Sequence, residues 1–415
     1  MVKKRIDLLV VNSNETVTVD PENPVEGLGI IDNGGVAIDR GKIVSAASTD
    51  LLERKFRARR TIDARERIIL PGFVDPHTHL VFDGAREAEF QLRIAGKSYM
   101  EILRQGGGII ATVNRTRQAT PESLFQSGRA RLDACLELGS TTVEIKSGYG
   151  LRIDDELKIL RVIQRLGKHH PCLVIPTFMG AHAVPSGSTS VEYVTNLISQ
   201  MLPRIAHSRL VEFCDVFCER GAFSSSESEE ILHSAHGLGL KLKIHADQFS
   251  ESGGLVIANR LRVTSADHLV YSPRDQIEMM VKTNVTPVLL PSSSYSQMNG
   301  NRADAKKMIA MGLPVALGTD FSPSNWTLGQ LTTSAFAARE LRMSAPDIIR
   351  GITINAARAL GLEERIGCLR PGRQADLVTL HAPSHKWIGY TYGDLAIDNV
   401  LIGGQLVVRN GRRIR

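Results

Sequence analysis

At 415 residues the chain can bury a sizeable core without disulfide staples, and its 42% hydrophobic and 23% charged residues are ordinary globular usage. Its 50 basic and 44 acidic residues leave a net +6, interspersed except for Lys3, Lys4 and Arg5 at one end and Arg412, Arg413 and Arg415 at the other, which excludes a nucleic-acid footprint. Five scattered cysteines do not form a secreted scaffold, and neither a signal peptide nor a run of 18 apolar residues is present, so a cytoplasmic chain with no membrane partner is expected.

In chain order, the first 65 residues read as short strands: IDLLVVN, TVTV, GLGIID, GGVAID and GKIVSAA, separated by Gly and Asn/Asp turn signals. Strand and helix patterns then alternate. The strand candidates are 68–75, 141–147, 172–180, 212–219, 241–247, 262–269, 285–291 and 314–320, with helices such as 121–139 and 154–169 between them. Eight strands with intervening helices over roughly 300 residues predict a closed (β/α)8 TIM barrel, an α/β fold. The rival open sheet loses ground because no GxGxxG follows a strand and Gly106–Ile109 lacks Walker lysine spacing. The last 45 residues return to strands in ADLVTLHA, NVLIGG and QLVVRNGRRI. We therefore expect a barrel over 66–369 and a small β-sandwich domain built from 1–65 plus 370–415.

The chemistry falls at predicted strand ends. His77 and His79 in PGFVDPHTH stand at i and i+2 of an extended segment, so both imidazoles face one way. His182, His245, His268 and Asp320 end later strands, and in a parallel barrel all such ends share one mouth. His77, His79, His245 and Asp320 make three imidazoles and a carboxylate, suited to one divalent ion, Zn2+ or Fe2+, with a position left for water. Cys214 and Cys218 have no second Cys/His pair at zinc-finger spacing and read, with Cys135, Cys172 and Cys368, as buried structural thiols. His207, His233, His236, His381 and His385 read as surface residues, and His169 and His170 as cations favoured at a helix C-terminus.

These pieces resemble the amidohydrolase superfamily: PGFVDPHTH, KLKIHAD, SADHL, GTD, TINAARALGL and the G-x-L-x-P-G-x-x-A-D-L pattern of Gly367–Leu377. HTHLVFDGAREAEF, GKSYMEILRQGGGI, TTVEIKSGYGL, PTFMGAHAVP and DVFCERGAF narrow the likeness to its imidazolonepropionase family, over nearly the whole chain. That resemblance implies His77, His79, His245 and Asp320 as metal ligands, and Arg86, Tyr149, His182 and Gln248 as substrate-binding residues. It implies a small anionic heterocyclic substrate: 4-imidazolone-5-propanoate, opened to N-formimidoyl-L-glutamate in histidine degradation. An arginine fork at Arg86 suits the propionate. In the implied mechanism the metal lowers the pKa of water, and His268 hydrogen-bonds that water or the oxyanion. Asp320 shuttles the proton to the leaving nitrogen, His182 polarises the carbonyl, and Gln248 orients the ring without acting as a base. Related barrels commonly form dimers, so a homodimer is the corresponding expectation.

The chain departs from the family pattern at two loops. Asp320-Phe-Ser-Pro-Ser-Asn stands where D-x-N-P-G-[ST] is usual, placing Ser322, Ser324 and Asn325 at positions expected to touch the ligand. Ser324 replaces a glycine whose backbone freedom the loop would use, and LLPSSSY carries serines where Pro-Gly-Ala is usual. Polar swaps of this kind redirect substrate choice more readily than they abolish hydrolysis. The alternatives are a related amidohydrolase that deaminates or opens a guanine-, cytosine- or hydantoin-like ring, and a non-catalytic metal-binding barrel.

Overall fold

The computed structural model describes residues 3–20, 27–97, 101–102 and 107–414. The chain opens on β1 (Lys4–Val17), a single bent strand where two were expected, because Asn12 at φ 65° shifts the register between Val10 and Ser13. Likewise GLGIID and GGVAID merge into β2 (Ile30–Asp39), which turns at Arg40-Gly41, both with positive φ, into β3 (Lys42–Ser48). The all-strand reading of this region misses the helix Thr49–Lys55, after which come β4 (Phe56–Asp63) and β5 (Arg67–Pro71).

The predicted strand 68–75 divides at Gly72. Its first half is β5; its second half is β6 (Phe73–Asp75), the first strand of the barrel. A Cβ on Gly72 would overlap the Thr141 side chain, so the crossing needs a glycine. Then follow β7 (Ser140–Lys146), β8 (Leu173–Ala181), β9 (Phe213–Cys218), β10 (Lys241–Ala246), β11 (Ser265–His268), β12 (Thr286–Leu289) and β13 (Ala316–Leu317). These eight strands pair in sequence order as one parallel sheet, as the alternating pattern predicted. Its two ends meet beyond the strands. The His79 N–H donates to Phe321 O at 2.8 Å and the Asp320 N–H to His77 O at 3.1 Å. The Gln330 side-chain amide bridges the seam, donating to Val74 O at 2.8 Å and Leu317 O at 3.1 Å. The predicted strand 314–320 is cut to two ladder residues because Asp320 turns away at φ 50°.

The chain ends on β14 (Leu377–His381), β15 (Ile397–Ile402), β16 (Gln405–Arg409) and β17 (Arg412–Arg413). β14 lies antiparallel on β5, so both termini share one nine-stranded sheet. Alternate residues of β1 feed two clusters: Leu8 and Val10 pack with Val36, Ile38 and Leu401, while Leu9 and Val11 pack with Leu52 and Phe56. Helix Pro121–Glu137, capped by Thr120, and helix Ile153–His169 lie close to the predicted ranges. All five cysteines are free and buried. His207, His233, His236 and His381 are exposed, as expected. His385 is not a surface residue: it is buried, with Nδ1 2.9 Å from Glu15 Oε2. Among the described residues no helix is long and apolar enough to cross a membrane.

Candidate active site

The Pro76–His79 segment leaves β6 extended, so the odd-numbered imidazoles enter the barrel mouth while Thr78 turns outward and donates to Glu144 O at 2.5 Å. His77, His79 and His245 each bring a ring nitrogen within 4.8 Å of the others. Asp320 Oδ1 lies 3.5 Å from His77 Nε2 and 3.7 Å from His79 Nε2. Asp320 and His268, at φ 50° and 77°, sit in a region that costs a non-glycine residue about 1–3 kcal/mol, a strain that aims both side chains inward.

The donor chemistry fits a divalent cation. His77 Nδ1 is 2.6 Å from Asp267 Oδ2 and His245 Nδ1 is 3.1 Å from Asp215 Oδ1, which commits both Nδ1 atoms as donors. The opposite atoms, His77 Nε2 and His245 Nε2, are buried and have no hydrogen-bond partner among the described residues. Burial, then the Lys146 charge, holds the His77 pKa well below its ordinary value, keeping a lone pair for a metal. Burial outweighs a Ser293 hydrogen bond and lifts Asp320 to about 6.

Under this layer lies a set of charges that the sequence reading missed. Glu144, Lys146, Asp215, Lys243 and Asp267 are fully buried inside the barrel. A signal was available: TTVEIKS and KLKIHAD place charges at every second position of strands that a parallel sheet buries on both faces.

The predicted substrate residues Arg86, Tyr149, His182 and Gln248 line, with His268 and Asp320, a cavity of about 640 Å³ above the histidines. Tyr149 is held by its loop: Glu156 accepts from the N–H groups of Gly148, Gly150 and Leu151 at 3.0, 2.7 and 2.8 Å. Gly148 adopts φ 110°, and a Cβ there would meet Met179 O at 2.7 Å. Arg86 is side-on to Glu89, with Nε and Nη2 each 2.8 Å from Oε2. That contact orients the guanidinium and leaves Nη1 outside the pair. His182 stacks on His79 at 4.9 Å, and its Nδ1 lies 3.2 Å from Gly148 O. A carbonyl can only accept, so Nδ1 carries the proton. Burial, followed by the His245 charge, takes the His182 pKa down to about 3. The ring is therefore neutral and Nε2 only accepts. His182 cannot polarise a carbonyl as expected; it suits a ring N–H.

Ser322 and Ser324 line the same cavity. Ser324 does not have positive φ, so the loop needs no glycine there. Asn325, expected to touch the ligand, is turned away: its Nδ2 donates to Thr319 O at 2.8 Å and Asp320 O at 3.2 Å, and its Oδ1 accepts from Ser296. It braces the backbone that carries Asp320. Much of GKSYMEILRQGGGI lies outside the described residues.

Comparison with known proteins agrees with this geometry. The Amidohydrolase family model matches residues 68–407. The imidazolonepropionase of Alkaliphilus metalliredigens is 40% identical over 99% of this chain and 100% of its own length. That of Shouchella clausii is 42% identical over 92% of this chain and 87% of its own. In fold, the chain is similar to a zinc-bound adenosine deaminase from Xanthomonas campestris, with TM-score 0.76, 19% identity and 100% and 95% of the two chains covered. It is also similar to a 5-methylcytosine deaminase from Klebsiella pneumoniae, with TM-score 0.75, 15% identity and 98% of each chain covered. With a barrel of this topology, a histidine centre of this geometry and relatives matched end to end, the chain belongs to the imidazolonepropionase family of the amidohydrolase superfamily.

Proposed function

We propose that the chain hydrolyses the ring amide of 4-imidazolone-5-propanoate to N-formimidoyl-L-glutamate, in the cytoplasm, with one Zn2+ or Fe2+ held by His77, His79, His245 and Asp320. The observation that carries the reading is the convergence of that donor set under a cavity whose wall presents the Arg86 guanidinium. A bound divalent ion supplies Lewis acidity and lowers the pKa of water toward neutrality. Arg86 takes the propionate on its Nη edge, a contact that a neutral nucleobase could not make. Tyr149 and Gln248 orient the ring, and Gln248, having no basic atom, transfers no proton. His182 accepts a ring N–H through Nε2. Asp320, whose carboxylate reaches the ion site, takes the proton from the attacking water and delivers it to the nitrogen released as the C–N bond breaks. His268 faces the same cavity and stabilises the oxyanion that develops at the ring carbonyl.

The test is a turnover assay on imidazolone propionate beside guanine, combined with metal analysis of the same preparation. Ring opening of the first, its loss in His245→Ala together with the metal, and no ammonia from guanine are expected. Metal-loaded protein that deaminates guanine and leaves the imidazolone intact would overturn the reading.

A further inference from the structure

Lys146 lies in the middle of the buried charges below the histidines and touches no part of the cavity. Its Nζ is 2.7 Å from Asp215 Oδ2, 2.9 Å from Glu144 Oε2 and 3.6 Å from Asp267 Oδ2. Two of those carboxylates end on the histidines of the centre. Asp215 uses its other oxygen for His245 Nδ1, and Asp267 shares Oδ2 between Lys146 and His77 Nδ1. Ser265 fixes the remaining Asp267 oxygen at 2.7 Å. Glu144 touches neither histidine: it accepts from Thr177 Oγ1 at 2.5 Å and from Lys243 Nζ at 2.9 Å. Lys243 in turn donates to Pro76 O at 2.9 Å, the carbonyl preceding His77.

We infer that Lys146 is a positioning residue for the metal centre: its ammonium holds Asp215 and Asp267 apart as fixed acceptors, so that His245 and His77 turn their Nε2 lone pairs to one ion. Two buried carboxylates facing one site without a cation between them repel, and neither keeps its place. A carboxylate that shifts no longer meets its imidazole at hydrogen-bond distance, and the ring is free to rotate. The hydrogen bond that makes Nε2 a good ligand is then lost.

The inference rests on the metal site of the proposed reading but not on its substrate, so it is tested by metal binding. Lys146→Met alone leaves an uncompensated buried charge and can fail to fold. Lys146→Met combined with Glu144→Gln removes one charge of each sign and leaves Asp215 and Asp267 intact. Zn2+ affinity is measured by chelator competition, and the Co2+-loaded proteins are compared by visible absorption. The metal-free double variant is expected to melt near wild type, to bind Zn2+ about 10–100-fold more weakly and to give a shifted Co2+ spectrum. Wild-type affinity and spectrum in the double variant would overturn the inference. So would failure of both variants to fold even with metal present, because Lys146 would then belong to the fold rather than to the centre. Wild-type protein that binds no metal would instead refute the reading on which the inference rests.

Discussion

The contact between His182 Nδ1 and the Gly148 carbonyl decides what that imidazole can do. The side chain ends β8, as the sequence suggested, but its role depends on which nitrogen carries the proton, and a backbone carbonyl 34 residues away sets that. With burial and His245 lowering its pKa to about 3, the ring stays neutral across the working range. In 15N spectra of histidine-labelled protein, His182 is expected to keep a protonated Nδ1 and an unprotonated Nε2 from pH 8 to pH 5. An imidazolium signal at pH 6 would contradict the role as acceptor. Asn325 teaches the same lesson. Its position beside the metal aspartate was legible, but its amide is spent on the Thr319 and Asp320 carbonyls, and only the folded turn shows which way it points.

Between elements, the decisive feature is the seam where β6 meets β13. The β13 ladder is two residues long, so side chains complete what the backbone leaves open. Thr319 donates to Asp75 through its N–H at 3.1 Å and its hydroxyl at 2.6 Å, and Gln330 reaches a carbonyl on each side. The seam carries His77 and His79 on one side and Asp320 on the other, so its registry sets the ligand geometry. Gln330→Met strips two buried carbonyls of their donor and should lower unfolding free energy by about 2 kcal/mol, read from urea denaturation of the metal-free protein. A loss below about 0.5 kcal/mol would mean that the seam closes without it. The strands themselves were readable from their apolar runs. The seam was not, because Gln330 opens a helix and nothing in its neighbourhood marks it as bridging two strands.

Across the whole molecule, the last strand ties the terminal sheet to the barrel. Arg413 on β17 ion-pairs with Asp133 of helix Pro121–Glu137, and His170 Nε2 lies 3.1 Å from the same carboxylate oxygen. His170 was expected to be a cation at a helix end; instead it is buried, and burial followed by the Arg413 charge lowers its pKa to about 4 from the ordinary 6.5. Unfolding therefore takes up a proton between these two values. The contribution is complete above about pH 6.5 and is lost as pH falls toward 4, about 3 kcal/mol in all. His170→Gln should flatten the dependence of unfolding free energy between pH 7.5 and 5 relative to wild type. Equal slopes in the two proteins would show that His170 titrates as it does in water.

By itself the sequence determined the alternation of strands and helices, the return of strand texture at both ends, and the strand-end histidines, because hydrophobic period and turn chemistry are local properties. It also held the motifs that assign the family. Only the tertiary structure decided the rest. Closure of the barrel puts Asp320 beside His77 across 243 positions of chain. The ring of strands packs Lys146 against Asp215 and Asp267 from two other strands, and the folded loops choose the hydrogen bonds that set the tautomer of His182 and the direction of Asn325. Such pairings depend on long-range register and on burial, which turns a charge that would be solvated in an open strand into one that must find a partner.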